Sequence, residues 1–248
     1  MSKTSKETMV YLLPNLVTTA GLFCGFFAIV SAINLHWSNA ALAIILAAIF
    51  DGLDGRLARL TKTQSAFGEQ YDSMCDLVSF GVAPALLMYQ WALRPMGRIG
   101  WLMSFFFLAC AALRLARFNV LKQSTEKRYF QGLASPVAAG TIASAVLFYH
   151  EFFPGDSYEA KGIYILVILF SLAAAMVTNI RYRSFKDLNF KSQKAFAYLV
   201  VLILLIVLLS TKPKTFMFPF ASAYFLSGLI GELYYYIRKK KRKGIKST

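Results

Sequence analysis

Residues 51–76 read DGLDGRLARLTKTQSAFGEQYDSMCD and carry four aspartates at helical spacing. Asp51 and Asp54 are three apart and Asp72 and Asp76 four apart, separations that set two side chains on one face of a helix. Both pairs lie in apolar stretches, where an acid is costly and tends to face a cavity, a partner or an ion. Four carboxylates brought together repel one another and take up protons. A divalent cation removes that repulsion, and carboxylate, water and phosphate oxygens are the usual shell of Mg2+ or Mn2+. Such a cage, holding one or two ions, could bind and activate a phosphate-bearing substrate. The structural alternative is that Arg56 and Arg59 simply pair with the four acids.

The elements that position these acids are membrane helices. Of the 248 residues, 57% are hydrophobic and only 16% charged, against roughly 25% in ordinary soluble domains. A soluble chain of this composition would expose large apolar patches, so the protein is read as integral to a membrane. Apolar runs long enough to span occur at 12–33, 38–60, 67–93, 97–121, 134–152, 161–180, 194–210 and 216–237. The expected fold is therefore all-α, a polytopic bundle of about eight transmembrane helices forming a single domain over 1–248. The first run follows Lys3 and Lys6 but is too long for a cleavable signal, and it reads as a retained span. The short link from Leu60 to Ala66 makes the second and third spans antiparallel, so their acid pairs can face each other.

Basic residues fix an orientation. With the N-terminus inside, only Arg94, Arg98, Lys161, Lys212 and Lys214 of the 27 basic residues fall outside. That bias predicts both termini in the cytoplasm and the acids near the cytoplasmic surface; the expected location is the plasma (inner) membrane. The net charge of +15 is concentrated beside spans, above all in Arg238–Lys243, which directly follows an apolar run. This placement fits topology and anionic lipid, not nucleic acid. Cys24, Cys75 and Cys110 form no CxxC pair and imply neither a disulfide framework nor a zinc site. His36 and His150 read as interfacial residues near span ends.

Small residues surround the acids. Gly55 and Ala58 share a face with Asp51 and Asp54, where they could admit a ligand or allow close helix packing; Gly68 offers the same choice, and for Gly52 packing is the favoured reading. Arg59 could hold a phosphate or a neighbouring aspartate.

Asp51, Asp54, Gly55, Ala58, Arg59, Gly68, Asp72 and Asp76 together match the pattern D-x-x-D-G-x-x-A-R, eight residues, G-x-x-x-D-x-x-x-D. This resembles the signature of the CDP-alcohol phosphatidyltransferases. The resemblance implies that Asp51, Asp54 and Asp72 are metal ligands and that Asp76 is the general base and a second-metal ligand. It implies that Gly55, Ala58, Arg59 and Gly68 line the CDP pocket, with Asn15 and Thr18 from the opening PNLVTTAGLFCG helping to hold the nucleotide. It also implies a homodimer.

The signature leaves the acceptor alcohol open. RLARFN at 114–119, YFQGLASPVAAG at 129–140 and TNIRYRSFKDL at 178–188 resemble the serine-using branch of that family. On this likeness the substrates are CDP-diacylglycerol and L-serine, and the resemblance covers about 12–190, leaving two further helices at 194–237 and the basic tail 238–248. Arg114, Arg117 and Asn119, with Arg183 and Lys186, are the candidate acceptor- or phosphate-binding residues; arginine suits bidentate contact with either group. Positive-inside anchoring is the alternative for these cations and the favoured one for Lys122, Lys127 and Arg128. Glycerol 3-phosphate or an inositol phosphate remains a rival acceptor, and a divalent-cation transporter is the rival from another class.

Overall fold

A computed structural model describes residues 3–61, 63, 65–122, 130–153, 162–178, 181–182 and 211–244. Helix α1, Lys3–Ile33, turns sharply through Leu35 at φ 63° and returns as α2, Trp37–Leu60. Ala28 and Ala32 of α1 and Ala40, Ala43 and Ala47 of α2 are buried, and these small side chains let the two helices lie close along their length. At the end of α2 the Thr61 hydroxyl donates to Leu57 O at 2.8 Å. The chain reverses, and Ser65 caps α3, Ala66–Asp76, by accepting the Gly68 N–H at 3.0 Å.

Beyond Asp76 the helix does not run on as the plain rod expected over 67–93. A wide π segment, Leu77–Val82, leads into α4, Ala83–Met88; a second, Tyr89–Leu93, ends in a 3-10 turn at Arg94–Met96. Pro84 accounts for the first. It has no N–H to give, and its ring would strike the carbonyl four residues back; the wider turn relieves that clash. The widening begins one residue after the last aspartate.

Helix α5, Arg98–Lys122, follows Gly97 at φ 57°. Then come β1 (Phe130–Gln131), α6 (Ser135–Phe152), α7 (Gly162–Val177), β2 (Arg181–Tyr182) and α8 (Pro213–Gly244). The two-residue strands pair antiparallel, Phe130 opposite Tyr182. Gly132, at φ 86°, lets the chain press against the end of α7, where Leu133 N donates to Ala175 O at 2.9 Å.

Large apolar side chains point outward: Phe23 is 68% exposed and Phe26 59%, while alanines fill much of the interior. That inversion suits a lipid surround. Leu13–Ile33, Ala66–Met96 and Arg98–Leu121 are long and apolar enough to cross a membrane, and Gly162–Val177 is a shorter apolar helix. Helices occupy seven of the eight expected stretches; 194–210 lies outside the described residues.

Candidate active site

The α2–α3 hairpin brings acids from both arms together. Asp51, Asp72 and Asp76 each place one carboxylate oxygen so that the three lie within 4.8 Å of one another. Oxygens that close can share one divalent cation at bond lengths of about 2.0–2.6 Å, and an all-oxygen donor set favours Mg2+ or Mn2+ over softer ions. Asp54 lines the same cleft but stands outside that trio. It is buried, beside Thr18, whose own hydroxyl donates to Pro14 O at 3.1 Å. The free space within the cleft is about 10 Å3, room for one ion or water and far too little for a nucleotide. A larger ligand must approach from the open side.

Helix α1 forms the back wall. Its Gly25 has to be a glycine, because a Cβ there would come within 2.8 Å of Ser79 Cα. The resulting close approach seats α1 against the segment that carries Asp76. Asn15 lies over the α3 cap: a Cβ at Gly68 would meet Ser65 Oγ at 3.1 Å and Asn15 Oδ1 at 3.4 Å. Gly68 therefore serves the cap and this approach. Gly55 has nothing within 4 Å, Ala58 is half-buried and Arg59 is exposed. Gly52 corrects the packing expectation: it too is exposed with nothing within 4 Å, because it faces away from the neighbouring helices.

Arg56 and Arg59 do not neutralise the acids; both are exposed, and among the described residues neither forms an ion pair with them. The counter-charge comes from α5. Arg114 lies within electrostatic reach of Asp51 and Asp76 without forming an ion pair with either, and its Nη1 donates to Ser135 Oγ at 2.8 Å. Ser135 is fully buried in the first turn of α6. The sequence marks Ser135 only as part of the serine-branch stretch at 129–140; its hold on Arg114 emerges from the fold.

The other candidates are spread around this centre. Arg117 donates from Nη1 to Val177 O at 3.4 Å, at the C-terminus of α7, where a cation offsets the unpaired carbonyls. Asn119 Nδ2 donates to Ser73 Oγ at 3.0 Å, which in turn donates to Glu69 O, tying α5 to α3. Arg183 and Lys186 lie outside the described residues.

The family model of the CDP-alcohol phosphatidyltransferases matches residues 11–179, a stretch that includes all four aspartates, Arg114, Ser135 and Val177. The chain belongs to that family. A CDP-alcohol phosphatidyltransferase is an enzyme, which sets aside the cation-transporter reading. The chain is 34% identical over 229 residues to the CDP-diacylglycerol–serine O-phosphatidyltransferase of Helicobacter pylori, covering 92% of this chain and 94% of that protein. It is 32% identical over 197 residues to the protein of that name from Mycobacterium tuberculosis (77% and 68% covered). With the archaetidylserine synthase of Methanothermobacter thermautotrophicus it shares 34% identity over 184 residues (73% and 74%). For a phosphatidyltransferase of this family, which generally uses a divalent metal, the donor set at Asp51, Asp72 and Asp76 is chemically apt.

Proposed function

We propose that the protein transfers the phosphatidyl group of CDP-diacylglycerol to L-serine, releasing CMP and forming phosphatidylserine. One observation carries this reading: three aspartate oxygens converge within 4.8 Å at the hairpin, with the Arg114 cation within electrostatic reach of Asp51 and Asp76. The names of the three relatives, each specifying a serine headgroup, support the choice of acceptor.

In the proposed mechanism Asp51, Asp72 and Asp76 hold Mg2+ or Mn2+, with Asp54 completing the acid set. Bound there, the ion neutralises the pyrophosphate and makes CMP a better leaving group. Gly55, Ala58, Arg59 and Gly68 receive the CDP moiety at the hairpin, with Asn15 and Thr18 of α1 helping to hold it. Asp76 takes the proton of the serine hydroxyl as its oxygen attacks the phosphatidyl phosphorus; that P–O bond forms while the bond to CMP breaks. Arg114 offers its buried Nε–H, which has no partner of its own, to the acceptor carboxylate or the lipid phosphate. Arg117, Asn119, Arg183 and Lys186 complete the acceptor side.

The basic-residue bias supports both termini in the cytoplasm and an even number of spans; with about eight apolar runs, the protein is proposed to be a multi-pass protein of the plasma (inner) membrane. The acyl chains then stay in the bilayer while the headgroup reacts at the cytoplasmic surface. The homodimer belongs to the same proposal and is tested by light scattering of the purified protein in detergent.

The deciding assay is release of CMP from CDP-diacylglycerol with each candidate alcohol in turn. Release with serine, and only background release with glycerol 3-phosphate or inositol phosphate, is the expected outcome. Release with glycerol 3-phosphate but none with serine would refute the acceptor assignment and leave the family chemistry standing.

A further inference from the structure

The end of the bundle away from the acids holds a second cavity, of about 330 Å3, lined by Trp37, Gln90, Trp91, Arg94 and Pro95. Trp37 opens α2 and precedes Asp51 by 14 residues, about 21 Å along the helix at 1.5 Å per residue. The cavity therefore belongs to the opposite membrane–water boundary and shares no residue with the acid cleft.

Its walls are chemically incomplete. Trp91 is buried, 4% exposed, and its indole N–H has no acceptor. Gln90 Oε1, also shut off from bulk water, has no donor. Buried polar atoms without partners are rare enough to call for an explanation, and two of them belong to adjacent residues that line this one cavity. Arg94 stands exposed beside them and forms no ion pair with a described residue. Glu151, at the same end of the bundle, is already engaged by Lys214 at 3.6 Å. The remaining surface is the rings of Trp37, Trp91 and Pro95. Tryptophan with an adjacent cation is the pairing that settles at the headgroup level of a bilayer.

We infer that this cavity binds an anionic phospholipid of the leaflet facing away from the acids. The lipid phosphate lies on Arg94, and an ester carbonyl accepts from the Trp91 indole N–H. A headgroup hydroxyl donates to Gln90 Oε1. The glycerol backbone and first methylenes cover the three rings. A free inorganic anion would meet Arg94 but leave those rings and both unpartnered atoms unserved. The inference rests on none of the residues assigned to the transfer reaction.

The test is native mass spectrometry of the full chain in mild detergent, incubated with phosphatidylglycerol, phosphatidylcholine or inorganic phosphate. The wild type is expected to retain one phosphatidylglycerol with about 10-fold preference over phosphatidylcholine, a preference set by a charge-assisted contact. Arg94→Gln is expected to lose that preference with unchanged CMP release, which also establishes that the variant folds. Trp91→Phe keeps the ring but loses the N–H, and should weaken retention several-fold. Lipid held at the acid cleft would be untouched by Arg94→Gln, so the difference between the two proteins reports this cavity alone. Equal retention of both lipids by the wild type, unchanged retention by Arg94→Gln, or displacement by millimolar phosphate would each overturn the inference, the last by making the site one for a soluble anion.

Discussion

Arg114 Nη1 donates a 2.8 Å hydrogen bond to Ser135 Oγ, joining the helix that supplies the site's counter-charge to the first turn of α6. The serine is fully buried, so no water can replace it. The bond holds one arm of the guanidinium and leaves the buried Nε–H for another acceptor.

Ser135→Ala removes this hold without touching an acid. Hydrogen bonds to charged groups are worth about 1.5–3 kcal/mol, so a loss of CMP release on the order of 10-fold or more is expected. Steady-state kinetics should place part of it in the KM for the acceptor. Wild-type kcat and KM in Ser135→Ala would show that the bond does not position Arg114 for the reaction. Arg114→Lys should be no milder, because the ammonium lacks the fork that serves Ser135 and a second group together.

The acids should not be equivalent. Asp51→Asn and Asp72→Asn each remove an oxygen from the trio within 4.8 Å, whereas Asp54→Asn alters a carboxylate outside it. Activity should fall about 10- to 100-fold in Asp54→Asn, the range typical of outer metal-site groups, and further in the first two, and raised Mg2+ should recover more of it in Asp54→Asn. Chelation should abolish CMP release in the wild type, and added Mg2+ or Mn2+ should restore it. Equal losses in all three variants would mean that Asp54 moves into the trio when the ion binds.

Asp76→Asn separates binding from turnover. General-base catalysis contributes about 10²- to 10⁴-fold, so turnover should drop by that order while metal-dependent binding of CDP-diacylglycerol partly survives. Binding of radiolabelled liponucleotide, measured beside CMP release, makes the comparison. Near-normal turnover in this variant would remove Asp76 from the role of base.

Two glycines make a matched pair of controls. Gly25→Ala puts a methyl within 2.8 Å of Ser79 Cα, backbone against helix, and should cost about 1–3 kcal/mol, read as a lower melting temperature in detergent. Gly55→Ala meets nothing within 4 Å and gains up to about 1 kcal/mol in helix propensity, so its melting temperature should hold or rise. Any fall in CMP release by Gly55→Ala then reports crowding of the substrate and not damage to the fold.

Much of this molecule is legible in its sequence. Helix positions follow from apolar runs, since backbone polar groups in lipid must be satisfied within the helix. The i,i+3 and i,i+4 spacing of Asp51 with Asp54 and of Asp72 with Asp76, joined by a short polar link, is enough to foresee two acid-bearing faces on one hairpin. The eight signature positions carried the family, which the match over residues 11–179 bears out.

Other features depend on contacts between elements distant in the chain, where one-dimensional spacing has nothing to measure. Helical periodicity puts Asp51 and Asp54 on one face but cannot reveal that only Asp51 joins the oxygens of Asp72 and Asp76 while Asp54 sits beside Thr18. The positive-inside count treats Arg114 like any other cation near a span end; its place within electrostatic reach of Asp51 and Asp76 arises from how α5 packs on the π segment that follows Asp76. Hydropathy reads 67–93 as one uniform helix, whereas Pro84, packed within a rod that cannot break in lipid, forces the wide turn after Asp76. The sequence by itself determined a membrane helix bundle, its acid pairs and its family. Only the tertiary structure decided which three oxygens meet and which cation faces them, because those depend on the angle and depth at which separate helices pack.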